Sequence, residues 1–249
     1  MNDIFNQFEG GYQNFERAIK SLLIKNMKKT DKQELETIIW NFTSNNNERK
    51  RSTILFTPEE KAFAIVWAGF HEIAETHELL NEITNYLKRF PSNLPSKARY
   101  LRFLISNYLN EVYILSKRLE AYSKKLSRLY NGNPQFEALK QTVADLDIYT
   151  YKFFEGINLS RGKHVHATRY LDNDLESLIF LEATIHNKSL GLTNMYKTKI
   201  KSTKDHWIEV IKNNNVAEKK ILNVYFSLLH LIVFDKNGEF ISPKKPKTN

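Results

Sequence analysis

The sequence predicts an all-α protein, an antiparallel bundle of four core helices with further helices at both ends. Three observations carry this. Apolar residues recur at three- and four-residue steps over long stretches, the period of one buried helix face. Only 8 Gly and 6 Pro occur in 249 residues, too few for a fold made of many strands and turns. The strongest breaker cluster, Asn131-Gly132-Asn133-Pro134, falls between periodic stretches rather than inside one.

Taken in order, 4–27 reads as a helix, with Ile4, Phe5, Phe8, Tyr12, Phe15, Ile19, Leu22 and Leu23 on one side and Gly10-Gly11 weakening its start. A short helix fits 32–42, and the polar run 43–51 is a loop. Thr57-Pro58-Glu59-Glu60 then gives a strong start: a capping threonine, a proline at the first helical position and a glutamate that closes a capping box. The stripe Phe63, Val66, Trp67, Phe70, Ala74, His77, Leu80, Ile83, Leu87 follows. A long helix spans 97–130 on Leu101, Leu104, Ile105, Tyr108, Val112, Leu115, Leu119, Tyr122 and Leu126.

A third core helix fits 135–157, with Phe136, Leu139, Val143, Leu146, Phe153 and Ile157 inward. A fourth fits 173–187, capped by Asp172, with Leu175, Leu178, Ile179 and Ile185 inward. Two more helices are expected at 202–212 and 216–230, and an Asn237-Gly238 turn suggests a small hairpin. In sequence the chain divides into a helical extension (1–55), a central bundle (56–190) and C-terminal helices with a basic tail (191–249).

Composition narrows the function. A net charge of +9 points to a polyanionic partner, nucleic acid first. The absence of Cys excludes disulfides, thiolate zinc sites and a cysteine nucleophile, and fits a cytoplasmic protein. The longest apolar run, 224–234, is interrupted by Ser227 and His230 and falls short of the ~20 residues of a membrane span. Met1-Asn2-Asp3-Ile4-Phe5 lacks the basic-then-apolar order of a signal peptide. There is no phosphate-cradling glycine loop. His71, Glu75, Glu78 and Glu82 share a helix face without a metal-binding spacing, so neither metal nor cofactor is expected.

The chemistry-bearing stretch is 159–170, Leu-Ser-Arg-Gly-Lys-His-Val-His-Ala-Thr-Arg-Tyr. Arg161 and His166 combine a fixed cation with a titratable imidazole. That is what RNA cleavage needs: one group stabilises charge on the phosphate and the other moves protons near neutral pH. The stretch is read as a connector entering the fourth core helix, where backbone N–H groups would favour a phosphate. Lys163 and His164 are candidates for substrate contact, Arg169 for a neighbouring phosphate. On the long helix, Asn107, Glu111 and Arg118 share one side.

Arg161, four intervening residues and His166 resemble the motif of the HEPN superfamily (higher eukaryote and prokaryote nucleotide-binding domains), an arginine followed by four to six residues and a histidine. The resemblance covers about 57–188. It implies a helical bundle and a metal-independent endoribonuclease of a toxin–antitoxin or antiviral system. It also implies a homodimer in which two copies of the motif share a cleft, with RNA as substrate and an antitoxin or other regulatory protein as partner. Asn107 and Glu111 are candidates to support the pair only through this resemblance. Catalytic members often carry a polar residue after the arginine, where this chain has Gly162, and a subgroup carries a tyrosine where it has Thr168. The alternative is a non-catalytic helical module that binds RNA or a protein.

Overall fold

The structure, a computed structural model, describes residues 8–27, 57–91, 96–166, 173–185 and 191–243; over 26–27 and 157–166 the description is of the backbone. Among the described residues there are six helices: α1 (Gly11–Met27), α2 (Pro58–Lys88), α3 (Lys97–Leu129), α4 (Pro134–His166), α5 (Asn173–Thr184) and α6 (Thr193–Val233). The protein is all-α. Among the same residues the one extended pairing is an isolated antiparallel bridge, Phe234 with Phe240, closed by the Asp235–Glu239 turn as the Asn-Gly signal suggested. The helix expected at 32–42, the loop at 43–51 and the Asp172 cap lie outside the described residues. So do Thr168, Arg169 and Tyr170.

The chain divides into two compact units, each discontinuous in sequence. One takes the described residues of Met1–Ala68, Lys125–Val143 and Leu222–Asn249, the other Gly69–Lys124 and Ala144–Ile221. Their boundaries fall inside helices rather than at loops.

The first unit is held by aromatic packing. Phe15 of α1 meets Phe226 and Phe234, with ring centroids 5.0 and 5.7 Å apart, and Phe63 meets Phe240 edge-on at 5.7 Å. Such pairs contribute about 0.5–1.5 kcal/mol each beyond their buried area. The α2 start is the one the sequence predicted. Glu60 N donates to Thr57 Oγ1 at 3.2 Å, and Thr57 N donates to Glu60 Oε2 at 2.7 Å.

The second unit is the core of α2 and α3 with parts of α4, α5 and α6. All nine stripe residues predicted on α3 are buried. Gly69 of α2 is where that helix comes closest to α3: a Cβ there would stand 2.2 Å from Tyr122 Cδ2. Arg118 donates to the Glu72 carbonyl at 2.8 Å and to Thr76 Oγ1, so it ties α3 to α2 and is not a free basic group. Glu182 of α5 gathers Ser96 Oγ, the Ala98 amide (3.1 Å) and Tyr196 O–H (2.5 Å). Burial works against its charge, yet these donors hold its carboxyl below the ordinary range.

The structure corrects three sequence expectations. The two C-terminal helices are one helix of 41 residues. Asn213-Asn214-Asn215 does not break it, because Asn215 is fully employed in the second unit, as described below. On α4 the inward ring is Phe154, 1% exposed, and not Phe153, which is 38% exposed. A leucine, Leu181, completes the buried face of α5 where Ile179 was expected; Ile179 is half-buried.

Two glycine substitutions test this packing. Gly156 is helical with nothing within 4 Å of an added Cβ. Gly156→Ala should therefore stabilise by about 0.5–1 kcal/mol through helix propensity. Gly69→Ala has the same propensity gain but should lose more than that, with overpacking costing about 1–3 kcal/mol. Urea unfolding midpoints that move in the same direction for both would show that α2 and α3 are not in contact at Gly69.

Candidate functional site

The candidate residues Arg161, Lys163, His164 and His166 all lie on α4, which runs unbroken from Pro134 to His166. The sequence suggests a connector entering the next helix; instead they form the last turns of α4.

 This has a physical consequence. A helix end of this polarity presents carbonyl groups and favours cations, so it accounts for part of the basic cluster and offers no N–H groups to a phosphate.

Helical register also regroups the residues. At about 100° per residue, positions 161 and 166 stand about 140° apart around the axis and about 7.5 Å apart along it. Neighbours on a helix are three or four positions apart. The adjacent cation–imidazole positions are therefore Arg161 with His164 and Lys163 with His166, while Gly162 lies one turn before His166. The sequence pairs Arg161 with His166 by spacing alone; on a continuous helix those two positions are not neighbours.

Asn107 and Glu111 are half-buried on α3, in the same unit as 161–166. The third residue of that set, Arg118, is tied to Glu72 and Thr76. On α2, His71 Nε2 lies 3.4 Å from Glu75 Oε1 in an exposed pair. Among the described residues no group of three or more His, Cys, Asp or Glu could hold a metal ion.

A buried polar network in the second unit went unread. His77 Nδ1 lies 2.9 and 3.0 Å from the two carboxylate oxygens of Glu218 on α6, and the side chains are 15% and 4% exposed. Burial pushes the Glu218 carboxyl up, and the His77 contact offsets part of that rise. Three residues earlier on α6, Asn215 Oδ1 accepts from Tyr108 O–H at 3.1 Å, and its Nδ2 donates to the Leu80 carbonyl and to Asn81 Oδ1, both at 3.3 Å. Burial also pushes the Tyr108 phenol up.

The signal was present in the sequence: Glu218 stands three and four positions before Ile221 and Leu222, on an apolar stripe where a carboxylate needs a partner. A carboxylate on Nδ1 fixes an imidazole, and the His77 Nε2 lies 3.5 Å from the exposed Asn81 Nδ2. The pair joins α6 to α2.

No family model, no curated protein and no solved structure matches the chain.

The network makes a pH prediction. A carboxyl whose folded value is raised resists ionisation in the folded state, so the native protein binds the extra proton and loses stability as pH rises between the ordinary and the raised value. Relative to Glu218→Gln, the wild type should therefore weaken across that interval and run level above it. Urea unfolding of both proteins from pH 4 to pH 8 reads this. A wild type that gains on the variant over the same interval would show that the carboxylate is the favoured buried form.

Proposed function

We propose that the chain is a HEPN-type, metal-independent endoribonuclease that acts as a two-fold dimer, in the role of a toxin or antiviral effector held by an antitoxin or other regulatory protein. One observation supports this above the others: two cations and two imidazoles fall within six positions of one continuous helix, in a chain of net charge +9. In this reading the RNA 2′-OH attacks the adjacent phosphorus as a histidine takes its proton. The P–O5′ bond breaks, an imidazolium protonates the leaving oxygen, and the products are a 2′,3′-cyclic phosphate and a 5′-OH end. Arg161 stabilises the crowded phosphate through its planar fork. His166 is the proton-transfer group, with Lys163 and His164 as substrate contacts and Glu111 or Asn107 as orienting groups. Positions 161 and 166 face different sides of one helix, which favours a cleft completed by a second copy.

A second reading, a non-catalytic module binding RNA or a protein, draws its support from Gly162, where catalytic members carry a polar residue. The two separate in one assay on labelled total RNA. His166→Ala should lower cleavage by about 10²–10⁴-fold and leave RNA affinity nearly intact, while Arg161→Ala should lower both. Cleavage should survive EDTA, and binding should weaken steeply with salt through counterion release. A loss confined to His164→Ala would move the proton transfer to the histidine adjacent to Arg161. Cleavage that persists in all three variants, or stops only with chelator, rejects the site; salt-sensitive binding without cleavage selects the binding module.

A further inference from the structure

The outward face of α4 is apolar where water should be. Ile148, Tyr149, Tyr151 and Phe153 are 55, 37, 55 and 38% exposed, four large apolar side chains within six residues. They group on the helix as two adjacent pairs, Ile148 with Tyr151 and Tyr149 with Phe153, on either side of Lys152. The opposite face, with Leu146, Thr150 and Phe154, is buried in the second unit. A helix apolar on both faces is normally covered on both. Together the four expose about 400 Å² by the usual areas of such side chains, the scale of a functional patch and about half of what one partner contributes to a standard interface.

Beside this ridge runs a groove of about 370 Å³ between α3 and α4, lined by Ser116, Glu120, Lys124, Asp147, Ile148 and Tyr151 among others. The charges in it and beside it, Lys117 and Asp145 being the flanking ones, differ between the two helices. The α3 side has Lys117 and Lys124 with Glu120 between them, Lys117–Glu120 at 3.0 Å and Lys124–Glu120 at 2.6 Å. The α4 side has Asp145, Asp147 and Glu155 against Lys152. The α3 side is thus net positive and the α4 side net negative, and the patch as a whole is close to neutral.

We infer that the ridge Ile148–Phe153 and its groove form an isologous interface with a second copy of this chain. Near-neutrality disfavours RNA, whose binding rests on an excess of cations. Opposite charge on the two sides is what a two-fold contact uses, since each side then meets the other side of its partner. The inference supplies the surface for the dimer proposed above and does not depend on the chemistry at Arg161 and His166. It also bears on that chemistry. The ridge centre lies about 20 Å along α4 from the middle of 161–166. Two α4 helices running the same way would bring the motifs level with each other; running antiparallel, they would hold them about 40 Å apart.

The test is the mass of the full chain in solution, by light scattering at about 100 µM, well above the micromolar constants of ordinary dimers. The wild type should weigh twice 29.3 kDa, and Tyr151→Glu and Ile148→Glu should each halve it.

 Phe180→Glu, at another exposed ring outside the ridge, should leave the mass unchanged. A monomeric wild type, or ridge variants that remain dimers, overturns the inference. So does a Tyr151→Glu variant that keeps its mass but loses RNA binding, which would make the ridge a platform for bases. Because the chain has no Cys, a single Ser160→Cys carries a spin label cleanly. In a ridge-dependent dimer, a label separation under about 20 Å fits a shared cleft, and about 30 Å or more keeps the interface while rejecting the shared cleft.

Discussion

The second unit depends on how two residues of α6 satisfy polar groups at its buried seam with α2 and α3. Asn215 and Glu218 are one turn apart, and between them they engage Tyr108, His77, Asn81 and the Leu80 carbonyl. Leaving Glu218, Tyr108 or the Leu80 carbonyl, the buried members, without a partner would cost about 1–3 kcal/mol each, so these contacts reinforce one another. This is why α6 passes straight through three consecutive asparagines. Its backbone follows the side chain of Asn215, which has its full set of partners only if the helix continues.

The same contrast explains how much of the fold was legible. The stripes on α2 and α3 were read correctly because both helices bury one face against many neighbours, and there a period of 3.6 is sufficient evidence. The Thr57–Glu60 box was legible because a capping box is entirely local. The continuity of α6 was not, since the partners of Asn215 lie more than a hundred positions away in sequence. On α4 adjacent rings at 153 and 154 compete for one inward position, and only packing chooses Phe154. The C-terminal extent of α4 was missed for a milder reason. Gly156 and Gly162 each cost a helix about 1 kcal/mol, which lowers the prediction of a helix without forbidding one.

For the candidate site, the residue types were legible and their arrangement was not. Spacing along a chain specifies proximity only once the backbone conformation is known. In a connector, residues five apart can face one another; in a helix they point to different sides. A second set of groups is then required to enclose a phosphate between Arg161 and His166. The apolar outer face of the same helix offers a place from which such a set could come.

Glu182 has a consequence for how the second unit comes apart. One carboxylate serves three donors on two other helices, the start of α3 and the start of α6, from a helix of only 12 residues. A helix that short has little persistence of its own. Its order is borrowed through that carboxylate, whose contribution is present above the ordinary carboxyl range and lost as pH falls through its depressed value. Acid should therefore release α5 as a separate cooperative element before the core of α2 and α3 yields, and the amides of the first turn of α3 should begin exchanging with solvent at the same step.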